Sequence, residues 1–181
     1  MLKDLPRYEC LLAAGEKYPT LNPRAFAAFL HLLRTGDTVF AAESAFLAQH
    51  SISQGRFTVL MLLNRCSKDE ASTPAALADE SGVTRATMTG LLDTLEKDGV
   101  IRREADRHDR RTVLVRLTET GRALLERMLP DYFECVGRIM APLNATERRQ
   151  LVALLQKIQQ SAAVDQPSSP SRVAERAEAA A

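Results

Sequence analysis

The stretch TPAALADESGVTRATMTGLLDTLEKDGV, residues 73–100, reads as two short helices broken by a glycine. Thr73 stands where an N-cap is needed, and Pro74 fills a first-turn position whose N–H would have no helical partner anyway. The first helix stops at Gly82. Thr84 caps a second, whose apolar residues Met88, Leu91, Leu92 and Leu95 share one side and whose stop is Gly99. Asp93 and Lys97 are spaced for an i,i+4 pair on its outer face. Helix, glycine turn, helix is the order of a helix-turn-helix unit.

Just beyond, READRHDRRTVLVRLT (residues 103–118) opens as a cluster of charge and ends as a strand. VIRRE and TVLVRL alternate or run apolar as strands, with ADRHDR as the loop of a hairpin. Six of the nineteen arginines of the chain fall within residues 100–116, and only three acids there (Glu104, Asp106, Asp109) offset them. A hairpin tip buries nothing, so the fold does not require this charge. Either it is a solvated face, or it reaches for something negative outside the protein. Arginine in place of lysine favours the second reading, since guanidinium suits phosphates and narrow minor grooves. A helix-turn-helix followed by a two-stranded hairpin gives the order of a winged helix.

Working outward, Phe26, Phe29, Leu30, Leu33, Phe40 and Leu47 recur at helical spacing from Pro23 to His50. Residues 1–21 form an arm with one helical stretch. Ser53 caps a further helix with Phe57, Leu60 and Met61, ending near Asn64, and SKDEAS is a loop. Downstream, Thr118 caps a long helix over 118–141 carrying Leu124, Leu125, Met128, Leu129, Phe133 and Val136, which Pro130 should bend. Asn144 with Glu147 makes a capping box for a last helix bearing Leu151, Leu154, Leu155 and Ile158. Residues 161–181 have almost no apolar bulk and are expected to be a disordered tail.

The whole chain has 181 residues, 45% apolar, with 5% aromatic and no Trp, a composition that favours helices. Its net charge is only +1, so contact with nucleic acid must come from a local patch. Three scattered cysteines argue against a disulfide framework, and no apolar run suits a signal peptide or a membrane span, so a soluble cytoplasmic protein is expected.

SQGRFTVLMLL, LADESGVTRATMTGLLDTLEKDGVIRRE, DRHDRRTVLVRLTETGR and LNATERRQLVALLQKI resemble successive signatures of the MarR family of transcriptional regulators. The resemblance runs from about residue 22 to 160. Its most specific piece is Asp109-x-Arg111 followed by Leu117-Thr118-Glu119-x-Gly121. It implies a mainly α (α+β) fold: a winged helix-turn-helix DNA-binding domain over 51–117, between an N-terminal dimerisation helix (22–50) and C-terminal dimerisation helices (118–160). It implies a homodimer that binds double-stranded DNA and usually represses transcription, releasing on a small phenolic or aromatic ligand, with no cofactor, metal or membrane.

The residues supply candidates for each role. Thr84, Arg85, Thr87 and Thr89 lie away from the buried side of the second helix and form a short polar face towards DNA. The resemblance assigns Arg111 as the groove-inserting tip and Arg107 and Arg110 as flanking phosphate contacts. Asp109 is then the brace that orients Arg111 through an ion pair. Many members carry a basic residue where this chain has Gly90 and Thr94, which shifts reliance to the wing. His31, Arg34 and Tyr132 are the candidates for facing a ligand. An enzyme reading finds no support, since His31, His50 and His108 sit in different elements with no metal-ligand spacing, nucleophile motif or phosphate loop. Two alternatives stay open: a winged helix used only for protein–protein contact, and a thiol-based redox sensor using Cys10, Cys66 or Cys135.

Overall fold

The arm forms α1 (Tyr8–Lys17), which packs on α2 (Pro23–Gln49) with Leu11 buried. In this computed structural model residues 4–65, 71–107, 109 and 111–164 are described. Asn22 starts α2 by accepting the Ala25 N–H at 3.1 Å, with Pro23 in the first turn. The chain then turns at Ser51, whose φ of 56° is positive although it is not glycine. Arg56 holds that turn: its guanidinium donates to the Ser51 carbonyl at 3.0 Å and pairs with Asp98 at 3.1 Å.

The helix-turn-helix is built from α3 (Gln54–Arg65), α4 (Pro74–Ser81) and α5 (Arg85–Lys97). Thr73 and Thr84 act as the expected caps, accepting the Ala76 and Thr87 N–H groups, each at 3.1 Å. Gly82 ends α4 in the left-handed region at φ 68°, where a side chain would be strained. Strands β1 (Ile101–Ala105) and β2 (Val113–Leu117) pair antiparallel, with Ile101 opposite Leu117 and Ala105 opposite Val113. Ser72 adds a bridge to Val115 through bonds of 2.8 and 3.2 Å. The core beneath joins Leu47, Phe57, Leu60, Leu77, Met88, Leu92, Leu95, Ile101, Val115, Leu117, Leu125 and Met128. Among the described residues no polar or charged side chain is buried in it.

Helix α6 (Glu119–Met140) follows and runs through Pro130 without a break. Its first turn is docked on the α5–β1 junction. Thr118 donates its N–H to the Val100 carbonyl at 3.1 Å and its hydroxyl to the Gly99 carbonyl at 2.7 Å, and accepts the Gly121 N–H at 3.1 Å. A Cβ on Gly121 would lie 2.1 Å from the Val100 oxygen. The approach is possible only because residue 121 has no side chain.

The described residues fall into two compact units, one reaching to Cys135 and one from Val136 onward. The second contains the end of α6 and α7 (Ala145–Val164). Asn144 and Glu147 cap α7 reciprocally: Asn144 Oδ1 accepts the Glu147 N–H at 3.0 Å, and Glu147 Oε2 accepts the Asn144 N–H at 2.8 Å. The helix continues to Val164, past residue 161 where the tail was expected to begin; residues 165–181 lie outside the described residues. No residue of α7 is buried, and Val152, Leu154 and Ile158 are exposed. In α2 only Leu47 is buried, while Phe29 and Phe40 are 52% and 57% exposed. Among the described residues no helix is long and apolar enough to cross a membrane, and no cluster of His, Cys, Asp or Glu could hold a metal ion.

Candidate nucleic-acid interface

Helix α5 buries Met88, Leu92 and Leu95 and leaves Thr84, Arg85, Thr87 and Thr89 exposed at its N-terminal end. Three of these four have local bonds. Thr84 Oγ1 accepts the Thr87 N–H at 3.1 Å and lies 2.9 Å from the Thr87 hydroxyl. Thr89 donates its hydroxyl to the Arg85 carbonyl at 3.0 Å. That bond uses the only hydroxyl proton of Thr89 and leaves its oxygen an acceptor. An acceptor there matches the exocyclic amines of adenine or cytosine at a major-groove edge.

At the wing, Asp109 organises the loop by a route the sequence did not suggest. Its Oδ1 accepts the backbone N–H of Arg111 at 3.0 Å and its Oδ2 accepts the Thr112 hydroxyl at 3.0 Å. The Asp109 N–H donates to Asp106 Oδ1 at 3.2 Å, and Thr112 N–H to the Asp109 carbonyl at 2.9 Å. The expected ion pair between Asp109 and the Arg111 guanidinium does not form: the carboxylate folds the backbone and is occupied in doing so. The side chains of Arg107 and Arg111 are exposed, with no acidic partner among the described residues. Arg110 and His108 lie outside the described residues.

The other three arginines of the hairpin have acidic partners within the fold, Arg103 and Arg116 half-buried and Arg102 exposed. Arg102 and Arg116 both pair with Glu104, the first at 3.3 Å. The hydrogen-bonded Arg116 guanidinium holds the Glu104 carboxyl below the usual carboxylate range. Arg103 pairs with Asp93 at 2.7 Å and Glu96 at 2.9 Å on α5. The expected Asp93–Lys97 pair is not formed; Asp93 pairs instead with an arginine from the neighbouring strand. Half of the arginine cluster is thus scaffold, and the outward charge is concentrated at the tip.

The three ligand-facing candidates are not brought together. His31 lines a slot of about 120 Å³ with Tyr8, Leu11, Ala27 and Leu30, between α1 and α2. Arg34 is half-buried one turn further along α2. Tyr132 instead donates its hydroxyl to Glu43 at 2.8 Å, among the rings of Phe46 and Phe57. Glu43 is twelve residues beyond His31 on α2, about 18 Å along the axis at the helical rise. Burial, with the Glu43 contact adding to it, pushes the Tyr132 phenol up to about 12. The other oxygen of Glu43 accepts from Gln54 Nε2 at 2.9 Å, so one carboxylate ties α2, α3 and α6 together. Of the cysteines, Cys10 is exposed on α1, Cys135 is half-buried on α6, and Cys66 lies outside the described residues.

A model of the MarR family matches residues 52–113, which span α3 to the start of β2. The chain is 34% identical over 154 residues to the HTH-type transcriptional repressor YetL of Bacillus subtilis, an alignment covering 85% of this chain and 92% of that protein. This protein belongs to the MarR family. It is accordingly a DNA-binding transcriptional regulator with a winged helix-turn-helix fold, and not an enzyme. Among solved structures it is similar to the Staphylococcus aureus MepR–DNA complex, with 25% identity and a TM-score of 0.65, covering 74% of this chain and 95% of that one. It is also similar to Bordetella bronchiseptica BpsR, whose DNA binding is regulated by 6-hydroxynicotinic acid, with 29% identity and a TM-score of 0.62, covering 71% and 91%.

The helix caps follow from local sequence, whereas the roles of several other residues do not. Gly121, Arg56 and Arg103 are all structural in this MarR-family chain, and only Gly121 left a signal, as a glycine inside a helical pattern.

Proposed function

We propose that this protein is a ligand-responsive repressor that binds a palindromic operator as a homodimer. Thr84, Arg85, Thr87 and Thr89 of α5 meet the major groove, Arg111 enters the adjacent minor groove, and Arg107 and Arg110 contact flanking phosphates. The observation that carries this reading is the Asp109-folded tip, where the exposed Arg107 and Arg111 side chains have no acidic partner among the described residues. Charge presented in that way has no role within the fold.

The dimer is supported by the apolar residues Phe26, Phe29, Leu33 and Phe40, exposed at helical spacing along α2, and by Val152, Leu154 and Ile158 on α7. Apolar rows of this kind, on each helix taken by itself, are what a partner surface usually covers. A second copy covering these helices places two α5 helices on one DNA face, one helical turn apart. A small aromatic effector is supported by the hydroxynicotinate-regulated relative. Tyr132 and Glu43 offer a phenol and a carboxylate joined to α3, while His31 and Arg34 belong to a separate stretch of α2.

The test is selection of duplexes from a random-sequence pool, followed by affinity measured across salt concentrations. Two-fold symmetric sequences should emerge, with a log–log slope of about −0.9 for each neutralised phosphate. An absence of duplex binding, or a flat salt dependence, would leave the wing as a protein-contact module.

A further inference from the structure

Arg103 lies on β1 with its side chain 25% exposed, and it grips one stripe of the recognition helix. Its Nη1 donates to Asp93 Oδ1 at 2.7 Å and Glu96 Oε2 at 2.9 Å. Its backbone N–H donates to Glu96 Oε1 at 3.0 Å, and its Nη2 reaches the Thr89 carbonyl at 3.4 Å. Thr89, Asp93 and Glu96 are spaced i, i+4 and i+7, so they share one helix face. Leu92 and Leu95 of α5 and Ile101 of β1 belong to one apolar core beneath, whose attraction is non-directional and specifies the rotation of the helix less sharply than directional bonds do. The four bonds of Arg103 are directional, and guanidinium is the side chain whose planar fork can hold several acceptors in fixed geometry.

We propose that Arg103 is a positioning residue for DNA recognition. It fixes the rotation of α5 against the wing and neutralises Asp93, without contacting DNA itself. Asp93 carries the electrostatic half of this role. Its side chain is 59% exposed on the recognition helix, where an uncompensated carboxylate would repel phosphates. The inference rests on α5 and the wing being the DNA-binding surface.

That dependence sets the experiment, which uses the full chain and a duplex that the wild-type protein selects from random sequence. Arg103→Ala should weaken binding about tenfold, the size of one lost charged hydrogen bond, and leave the salt slope unchanged because no phosphate contact is removed. A slope lower by about 0.9 would mean that Arg103 touches a phosphate, and would overturn the proposal. Asp93→Asn is the sharper variant, and its exposed position keeps the fold out of question. Removing a negative charge from a DNA-facing helix should tighten binding if only the net field mattered. The strut predicts weaker binding, and no further loss when Asp93→Asn is added to Arg103→Ala. Arg103→Lys should recover only part of the affinity. Tighter or equal binding by Asp93→Asn, while Arg111→Ala weakens it, would overturn the role of Arg103 alone. Equal binding by wild type and Arg111→Ala would overturn the DNA-surface assignment beneath it.

Discussion

Gly121→Ala should destabilise the protein, although alanine is the better helix former. The added Cβ would meet the Val100 oxygen at 2.1 Å, the Val100 carbonyl carbon at 3.0 Å and Leu117 Cδ2 at 3.2 Å. Backbone lies on both sides of the contact, so relief requires the first turn of α6 to retreat by about 1 Å from a normal van der Waals separation. Overpacking of this kind costs about 1–3 kcal/mol. The retreat also stretches the Thr118 bonds to Val100 and Gly99, at about 0.5–1.5 kcal/mol each. Against this stands a gain of about 1 kcal/mol for alanine over glycine in a helix. The net expectation is a loss of about 1–5 kcal/mol, and its sign alone is diagnostic. Urea denaturation at fixed protein concentration reads it as a lower midpoint with an unchanged slope. Gly90→Ala is the control: it lies in α5 with nothing within 4 Å of its Cβ, so it should raise stability. If Gly121→Ala were as stable as wild type, or more so, the close approach of α6 to the α5–β1 junction would be refuted.

Arg111→Ala should weaken operator binding by about 1–3 kcal/mol with an unchanged melting temperature; a parallel loss of stability would show that the tip is structural. Asp109→Asn should retain most of the affinity, since an amide keeps an acceptor for the Arg111 N–H and a donor for Thr112, whereas Asp109→Ala should lose it. An ion-pair brace would make both variants equally weak, and operator titrations separate the cases. Thr84→Ala should cost about 1 kcal/mol of stability through the lost cap, measured by thermal unfolding. The Tyr132 phenol is raised from 10.0 to about 12, so the unfolded chain loses its proton first. The stability it contributes is whole below pH 10 and is lost towards pH 12. Tyr132→Phe should flatten that alkaline limb of the unfolding curve.

Local signals made most of the fold legible. Thr73, Thr84 and the Asn144–Glu147 box each declare a helix start through bonds within three residues, and alternation at Val113–Leu117 declares the strand. The contacts that failed to show are those set by tertiary placement. Lys97 was the only cation within helical reach of Asp93, and nothing local announces that Arg103 will arrive from the next strand. Asp109 beside Arg111 invites an ion pair on charge alone, while the bond that forms depends on loop backbone geometry. His31 and Tyr132 share aromatic, polar chemistry, but the length of α2 between His31 and Glu43 keeps them apart. Helix α7 passed its expected end because Ala162 and Ala163 favour helix without adding apolar bulk.

The fold of the wing tip is carried by Asp106, Asp109, Thr112 and main-chain groups, none of which is an arginine side chain. Residues 107 and 111 can therefore vary without disturbing the hairpin that displays them. Arg103, Glu104 and Gly121 have no such latitude, because each meets a fixed partner. Evolutionary drift in what this regulator recognises should accumulate at the tip and on the outer face of α5, while the struts behind them stay constant. New DNA targets can then be tried one residue at a time from an unchanged frame.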